Sequence, residues 1–284
     1  MRLCQTRPHI GASMTGFFAV DITDHQRDNA GVIKSYQLGQ GPNLLLLHDV
    51  AGSARYWGQT LTEHALDMYH VTVIDQRGHG NASHFGAYDM VAFVDDACAV
   101  VAELGLTKMI IIGHGLGALQ ACAVAQRSPE VVRALILVDP PLYETAPNIT
   151  ELRTQWLHRL MELQQLSDEE RISRIVRTAP DWTPVAAHAW SDARAVCDTH
   201  ALAWLDAYTT AIKETVSAIH HPTMVMYGDA ARGAHMTPAV AQFVQSASAH
   251  VTCVHINETG HDLYHDRPKA YMKAVHNFLR TIAR

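Results

Sequence analysis

Short, unbroken apolar runs constrain this chain most. Residues 44–47 are Leu-Leu-Leu-Leu, 109–112 are Met-Ile-Ile-Ile, and 134–138 are Ala-Leu-Ile-Leu-Val. A strand with one wet face alternates apolar and polar residues, so a continuous run needs cover on both faces, as in a parallel sheet between helical layers. Runs of the same style occupy 70–75, 223–227 and 251–256. Two earlier strand-like stretches, 17–22 and 32–38, are joined by a polar turn over 24–31. Between the later runs lie amphipathic helical patterns at 54–65, 88–104, 117–127, 238–246 and 269–283. Strands alternating with helices predict an α/β fold, a doubly wound, mostly parallel sheet of about eight strands.

One segment breaks the alternation. Residues 141–219 contain only helical stretches, at 149–165, 168–178 and 201–219, punctuated by Pro180 and Pro184. The expected division is an N-terminal extension over 1–15, a core formed by 16–140 and 220–284, and an all-helical insertion over 141–219. An insertion between two strands lies at the edge of a parallel sheet where ligands bind. Trp156, Trp182, Trp190 and Trp204 fall inside it, which suits either an apolar lid over a pocket or a packing elaboration.

Composition excludes several classes. The 284 residues are 48% apolar with a net charge of −6, enough to bury a sizeable core. No Lys/Arg run marks a nucleic-acid or anionic-membrane surface. No apolar stretch approaches the roughly 18 residues of a membrane span. The cysteines (Cys4, Cys98, Cys122, Cys197 and Cys253) form no CxxC pair. They read as reduced thiols of a cytoplasmic protein. The first thirteen residues lack an apolar signal-peptide core. No P-loop, dinucleotide fingerprint or metal-ligand spacing is present, so no cofactor and no metal are expected. Any activity is expected to survive EDTA and dialysis. A small-molecule ligand is the expected partner, with the oligomeric state left open.

The motifs carry the chemistry. Met109 to Ala118 reads strand, Gly113-His114-Gly115-Leu116-Gly117 turn, then helix. With Asp75-Gln76-Arg77-Gly78-His79-Gly80 before it and Gly260-His261 near the end, the chain resembles the α/β-hydrolase superfamily from about residue 16 onward. The resemblance implies a nucleophile at the centre of G-x-S-x-G, held on a strained turn, and that position is Gly115. It implies that His261 is the catalytic histidine. It places the usual acid at Ala231, leaving Asp139 at a strand end and Asp229 as the alternative acids. It also implies that the Val50 and Leu116 N–H groups bind an oxyanion, with His114 beside them. Asp49 replaces the usual glycine in His48-Asp49-Val50-Ala51-Gly52. A carboxylate there opposes an oxyanion, turns to solvent, or serves as a second acid/base group. Trp57 is expected in the core or pocket wall.

An acyl-enzyme route needs a hydroxyl, thiol or carboxylate at the elbow, and Gly115 offers none. Three functions remain. The first is an enzyme acting on a small, partly apolar ester, lactone or C–C/C–H acid, with His261 as a non-covalent general base. The second is a catalytically silent homologue that binds a ligand or partner. The third is a serine hydrolase silenced at residue 115. In the first, Asp139 lies within about 3.2 Å of a ring nitrogen of His261, and Gly115→Ser is expected to create esterase activity.

Overall fold

The computed structural model describes residues 20–58, 68–143, 147–207, 216 and 219–282. Eight strands are seen: β1 (Asp21–Gln26), β2 (Val32–Leu38), β3 (Asn43–Leu47), β4 (His70–Asp75), β5 (Met109–His114), β6 (Val132–Val138), β7 (Thr223–Tyr227) and β8 (Val251–His255). They form one sheet in the order β1-β2-β4-β3-β5-β6-β7-β8. The β1–β2 and β2–β4 pairs are antiparallel and the remaining five are parallel. The described helices include α1 (Met90–Glu103), α2 (Leu116–Arg127), α3 (Ile149–Gln165), α4 (Asp168–Thr178), α5 (Pro184–Val196), α6 (Pro238–Ala247), α7 (Leu263–Asp266) and α8 (Pro268–Ile282). This is the expected α/β fold.

The unbroken runs are explained by two cores. Leu44 and Leu46 of β3, Ile110 and Ile112 of β5, and Ile136 and Val138 of β6 pack on one face, with Trp57 and the α8 residues Val275 and Leu279. Leu45, Leu47, Ile111, Leu135 and Leu137 face the other way, into the cluster containing α1, α2 and α6. Successive strand side chains point to opposite faces, so every residue of 44–47, 109–112 and 134–138 is buried, each large aliphatic contributing about 1.5–3 kcal/mol. The run at 251–256 departs from this, because β8 is the sheet's edge and exposes Thr252 and His255.

The insertion lies between β6 and β7, as α3, α4, α5 and a 3-10 segment, Thr199–Ala207. Ser167 and Glu170 form a reciprocal capping box at the start of α4. Pro184, expected as punctuation, opens α5, with the Thr183 side chain accepting from the Ala186 N–H. Proline suits the first helical turn because its missing N–H has no intrahelical partner there. Trp182, Trp190 and Trp204 are buried, and the Trp156 ring lies 5.9 Å from that of His235.

Other boundaries also move. The first strand is Asp21–Gln26, running through the expected turn, and residues 17–19 of the expected strand lie outside the described residues. So does the expected N-terminal extension. A 3-10 turn at Ala54–Trp57 opens the expected helix 54–65, whose residues from 59 on also lie outside. Only 201–207 of the expected helix 201–219 belong to a described regular segment.

The loop after β4 is anchored by a buried ion pair. Arg77 Nε and Nη2 donate to Asp96 Oδ2 and Oδ1 at 2.6 and 2.8 Å. Removing one partner strands the other's charge in the interior. Asp96→Ala is therefore expected to lower the unfolding free energy by about 3–5 kcal/mol, measured by urea titration. A loss below about 1 kcal/mol would show that Arg77 finds water or another partner.

Candidate active site

Gly115, between β5 and α2, has φ +53° and ψ −114°, backbone space that strongly favours glycine. Its N–H donates to the Val138 carbonyl at 3.0 Å. A Cβ on Gly113 would overlap the Gly117 carbonyl, and one on Gly117 would overlap that of Leu47. The tight turn thus persists although its central residue has no side chain.

That missing side chain's space is filled from another loop. A Cβ on Gly115 would overlap the carboxylate of Asp49. Asp49 Oδ1 accepts the Leu116 N–H at 2.6 Å, and Oδ2 lies 3.0 Å from His261 Nε2. The loop is held from behind by buried His48, whose Nδ1–H donates to the Asp49 carbonyl at 2.7 Å. His48 Nε2 accepts the Gln76 N–H at 3.1 Å, consistent with a neutral ring. Burial pushes the His48 pKa down to about 4.

Asp139 follows β6 directly. Its φ of +40° lies in the left-handed region, which Asp tolerates better than most residues. The turn aims a completely buried carboxylate back toward the loop before α6, where Oδ2 accepts the His235 N–H at 2.9 Å and Oδ1 the Met236 N–H at 3.4 Å. The same Oδ2 is 2.7 Å from His261 Nδ1. His261 itself follows β8 in a turn secured by the Gly260 N–H donating to Asp266 Oδ2 at 2.7 Å.

The result is a continuous Asp139–His261–Asp49 array. Burial opposes charge on His261, but hydrogen bonds and charges from Asp139 and Asp49 outweigh it and hold the imidazole well above its usual range. Burial likewise opposes ionisation of Asp49, yet the hydrogen bond and charge of His261 hold it well below the usual carboxylate range. Two further rings flank the array. His114 stacks on His261 at 4.2 Å between centroids, and its Nε2 lies 3.0 Å from the His261 carbonyl. His235 meets His261 edge-on at 4.5 Å. Burial, then the nearby His261 charge, lowers the pKa of both, that of His235 to about 4.

The family model described as serine aminopeptidase, S33, matches residues 42–268, most of the chain. The chain belongs to this family of α/β-hydrolases. An sn-1-specific diacylglycerol lipase, ABHD11, from Xenopus laevis is 30% identical over 136 residues, 47% of this chain and 42% of that one. A 2-(acetamidomethylene)succinate hydrolase from Mesorhizobium japonicum is 28% identical over 109 residues, 38% of this chain and 39% of that one. These matches span about two-fifths of each curated relative's length. Among solved structures, an E-2-(acetamidomethylene)succinate hydrolase has a TM-score of 0.75 at 18% identity, covering 92% of this chain and 100% of that one. An N-formylmaleamic acid deformylase from Pseudomonas putida S16 has a TM-score of 0.71 at 21% identity, covering 90% and 100%. Likeness at that identity concerns the fold.

Within this α/β-hydrolase the expected residues divide clearly. Gly115, Leu116, His114, His261, Asp139 and Asp49 converge. Asp229 does not: it pairs with His255 Nε2 at 2.8 Å and accepts the Glu258 N–H at 2.8 Å. The Leu116 N–H, expected to bind an oxyanion, is here bonded to Asp49 Oδ1. Val50 is buried beside it. Trp57 is fully buried and stacks on Tyr264 at 5.0 Å. Sequence reasoning missed His235, which sits in irregular backbone with no motif around it. It also found no metal-ligand spacing, whereas folding brings donor atoms of Asp139, His235 and His261 within 4.8 Å of one another. At present a hydrogen bond joins Asp139 to His261, so a metal would have to replace that proton. An open hollow of about 720 Å³, lined by residues including Phe85, Tyr88 and Asp198, contains no member of the array. Among the described residues no helix is long and apolar enough to cross a membrane.

The geometry revises the expected effect of Gly115→Ser. Alone, it is expected to destabilise by about 1–3 kcal/mol through overpacking and to remain unlabelled by a serine-directed fluorophosphonate. Combined with Asp49→Gly it should regain stability and become labelled. Equal stability of the single variant and the native chain would show that the space is not contested.

Proton linkage supplies a second test. Asp49 is depressed, so its stabilisation is present above about pH 3.9 and lost as pH falls through its folded pKa. His261 is raised, so its stabilisation is present below about pH 6.5 and lost as pH rises through its folded pKa. The stability difference between native chain and Asp49→Asn should therefore shrink from pH 6 toward pH 10 in urea titrations. A constant difference would contradict a charged pair.

Proposed function

We propose that this α/β-hydrolase is a serine-independent hydrolase of a small, partly apolar substrate of ester or lactone type, with His261 moving the proton. The observation that carries this reading is the 2.7 Å contact of His261 Nδ1 with the wholly buried Asp139. An acid in that position fixes the tautomer and stabilises the imidazolium. Because both ring nitrogens face carboxylates, His261 starts the cycle protonated, as an acid rather than as the free base expected from sequence. The names of the relatives, a diacylglycerol lipase and a 2-(acetamidomethylene)succinate hydrolase, support a hydrolytic reaction. The insertion, with Trp156 near His235, serves as the lid. The unbridged Cys98, Cys122, Cys197 and Cys253 suit a reducing, cytoplasmic setting.

One observation favours the silent-binder reading: Asp49 occupies both the Leu116 N–H and His261 Nε2. Hydrolysis of a panel of short-chain esters and lactones decides between them. A rate that falls on the order of 10³-fold or more in His261→Ala, with Asp139→Asn also impaired, is expected of the enzyme. A native rate no higher than that of His261→Ala would establish the binder. EDTA is expected to leave the rate unchanged. Loss on chelation and recovery with Zn²⁺ would assign Asp139, His235 and His261 to a metal.

A further inference from the structure

The carboxylate of Asp49 stands where the elbow side chain would stand, against the same two groups that such a side chain would use. Leu116 follows the elbow and offers its N–H to Oδ1. His261 offers Nε2 to Oδ2. The Asp49 side chain is 15% exposed and that of His261 20%, whereas Asp139 is 0% exposed. Asp139 is thus the inner, fixed carboxylate and Asp49 the outer one, within reach of a bound molecule. Each carboxylate oxygen has two lone-pair sites, so Oδ2 retains one beyond its contact with the imidazole.

We propose that Asp49 is the nucleophile of this enzyme, delivered from the loop after β3 to the place that Gly115 leaves open, and that its substrate is an aryl or enol ester. The proposal rests on the hydrolase reading above and names the group that forms its covalent bond. The charge state agrees with it. A carboxylate held ionised by an adjacent imidazolium is a poor base for water, but it is an anion paired with a proton donor, as nucleophilic attack with leaving-group protonation requires.

The step balances without a cofactor. An Asp49 carboxylate oxygen bonds to the acyl carbon, the bond from that carbon to the leaving oxygen breaks, and His261 gives its proton to that oxygen. A mixed anhydride on Asp49 and a neutral His261 result. His261 then takes a proton from water, and the hydroxide bonds to Asp49 Cγ. The negative oxygen that develops on Cγ is Oδ1, already opposite the Leu116 N–H. Collapse breaks the bond between Cγ and the bridging oxygen, releasing the substrate's acid with an oxygen that came from Asp49. The new Asp49 carboxyl releases its proton, and His261 is again an imidazolium. The substrate class follows from the first step. A carboxylate is a far better leaving group than an alkoxide, so an alkyl ester would return to starting material. A phenol, with a pKa of about 10, departs competitively once His261 protonates it.

The test uses the intact chain and phenyl acetate in ¹⁸O-water, with enzyme in excess for one turnover. Mass spectrometry of the peptide containing Asp49 is expected to show one ¹⁸O in the Asp49 carboxylate, and the acetate is expected to be unlabelled. Label in acetate, with none on Asp49, at a rate above that of His261→Ala would overturn the step in which water opens the anhydride at Asp49 Cγ. Asp49→Asn keeps an acceptor for Leu116 and the side-chain shape, and should lower the rate of phenol release on the order of 10³-fold or more. Undiminished phenol release in that variant would also overturn the proposal. Failure of the underlying reading looks different: native chain and His261→Ala would then release phenol equally slowly, at the uncatalysed rate, with label in acetate and none on Asp49.

Discussion

A side chain at residue 115 and the carboxylate of Asp49 cannot occupy the same space, and the site is organised around that exclusion. Read along the chain, glycine at the elbow and aspartate in the loop after β3 are two unrelated departures from the family pattern. In space they are one exchange: the elbow loses its side chain and a neighbouring loop supplies a functional group to the same point. A serine hydrolase silenced by one substitution would have a gap there. Here the gap is closed by a charged group with a backbone donor and an imidazole, and a buried charge persists only when so partnered.

The same exclusion sets the charge pattern around His261. A single carboxylate partner would leave Nε2 open to act as a base. With a second, the imidazole becomes the positive centre between two negative groups, and its charge reaches outward. His114 and His235, packed against its ring, are held neutral by burial and by that neighbouring positive charge. His48 is neutral for a different reason, since it is buried and bonded to the backbone of the Asp49 loop. Four of the 19 histidines therefore have separate tasks: one carries charge, two pack against it, and one positions the carboxylate that faces it.

Most of the sheet was legible because burial on both faces writes itself as continuous Val, Ile and Leu. Leu44–Leu47 must divide between two cores, and only a covered sheet allows that. Gly115 and His261 were legible because they end strands in motif order. Asp139 stood beside Asp229 as an alternative acid, and the backbone decides between them: Asp139 turns back at φ +40°, while Asp229 faces His255. Asp49 was visible as an anomaly, but its destination was not. That depends on a loop path through Ala51 at φ +57° and on empty space at a glycine far along the chain. His235 contributes a backbone N–H and a ring edge from irregular structure, for which no periodicity exists. Pro184 was legible as punctuation, but not as the first residue of α5, because the same residue that stops one helix can open another.

The array also ties the molecule together. Asp49, Asp139, His235 and His261 come from loops at the ends of β3, β6, β7 and β8, where the parallel strands point their carboxyl ends at one crevice. Side-chain hydrogen bonds cross the crevice between those loops. The Asp139 carboxylate binds the end of β6 to the loop before α6 through two backbone N–H groups. His261 then binds that unit, through Asp49, to the start of α2. The site is thus a chain of hydrogen bonds substituting for secondary structure, with its interior end rigid and buried and its outer end partly exposed. This polarity matters for function. If all members were equally buried, the array would be a structural crosslink alone. Because exposure rises from Asp139 to the Asp49–His261 pair, that pair is the end of the array open to solvent, while the inner carboxylate supports it from behind.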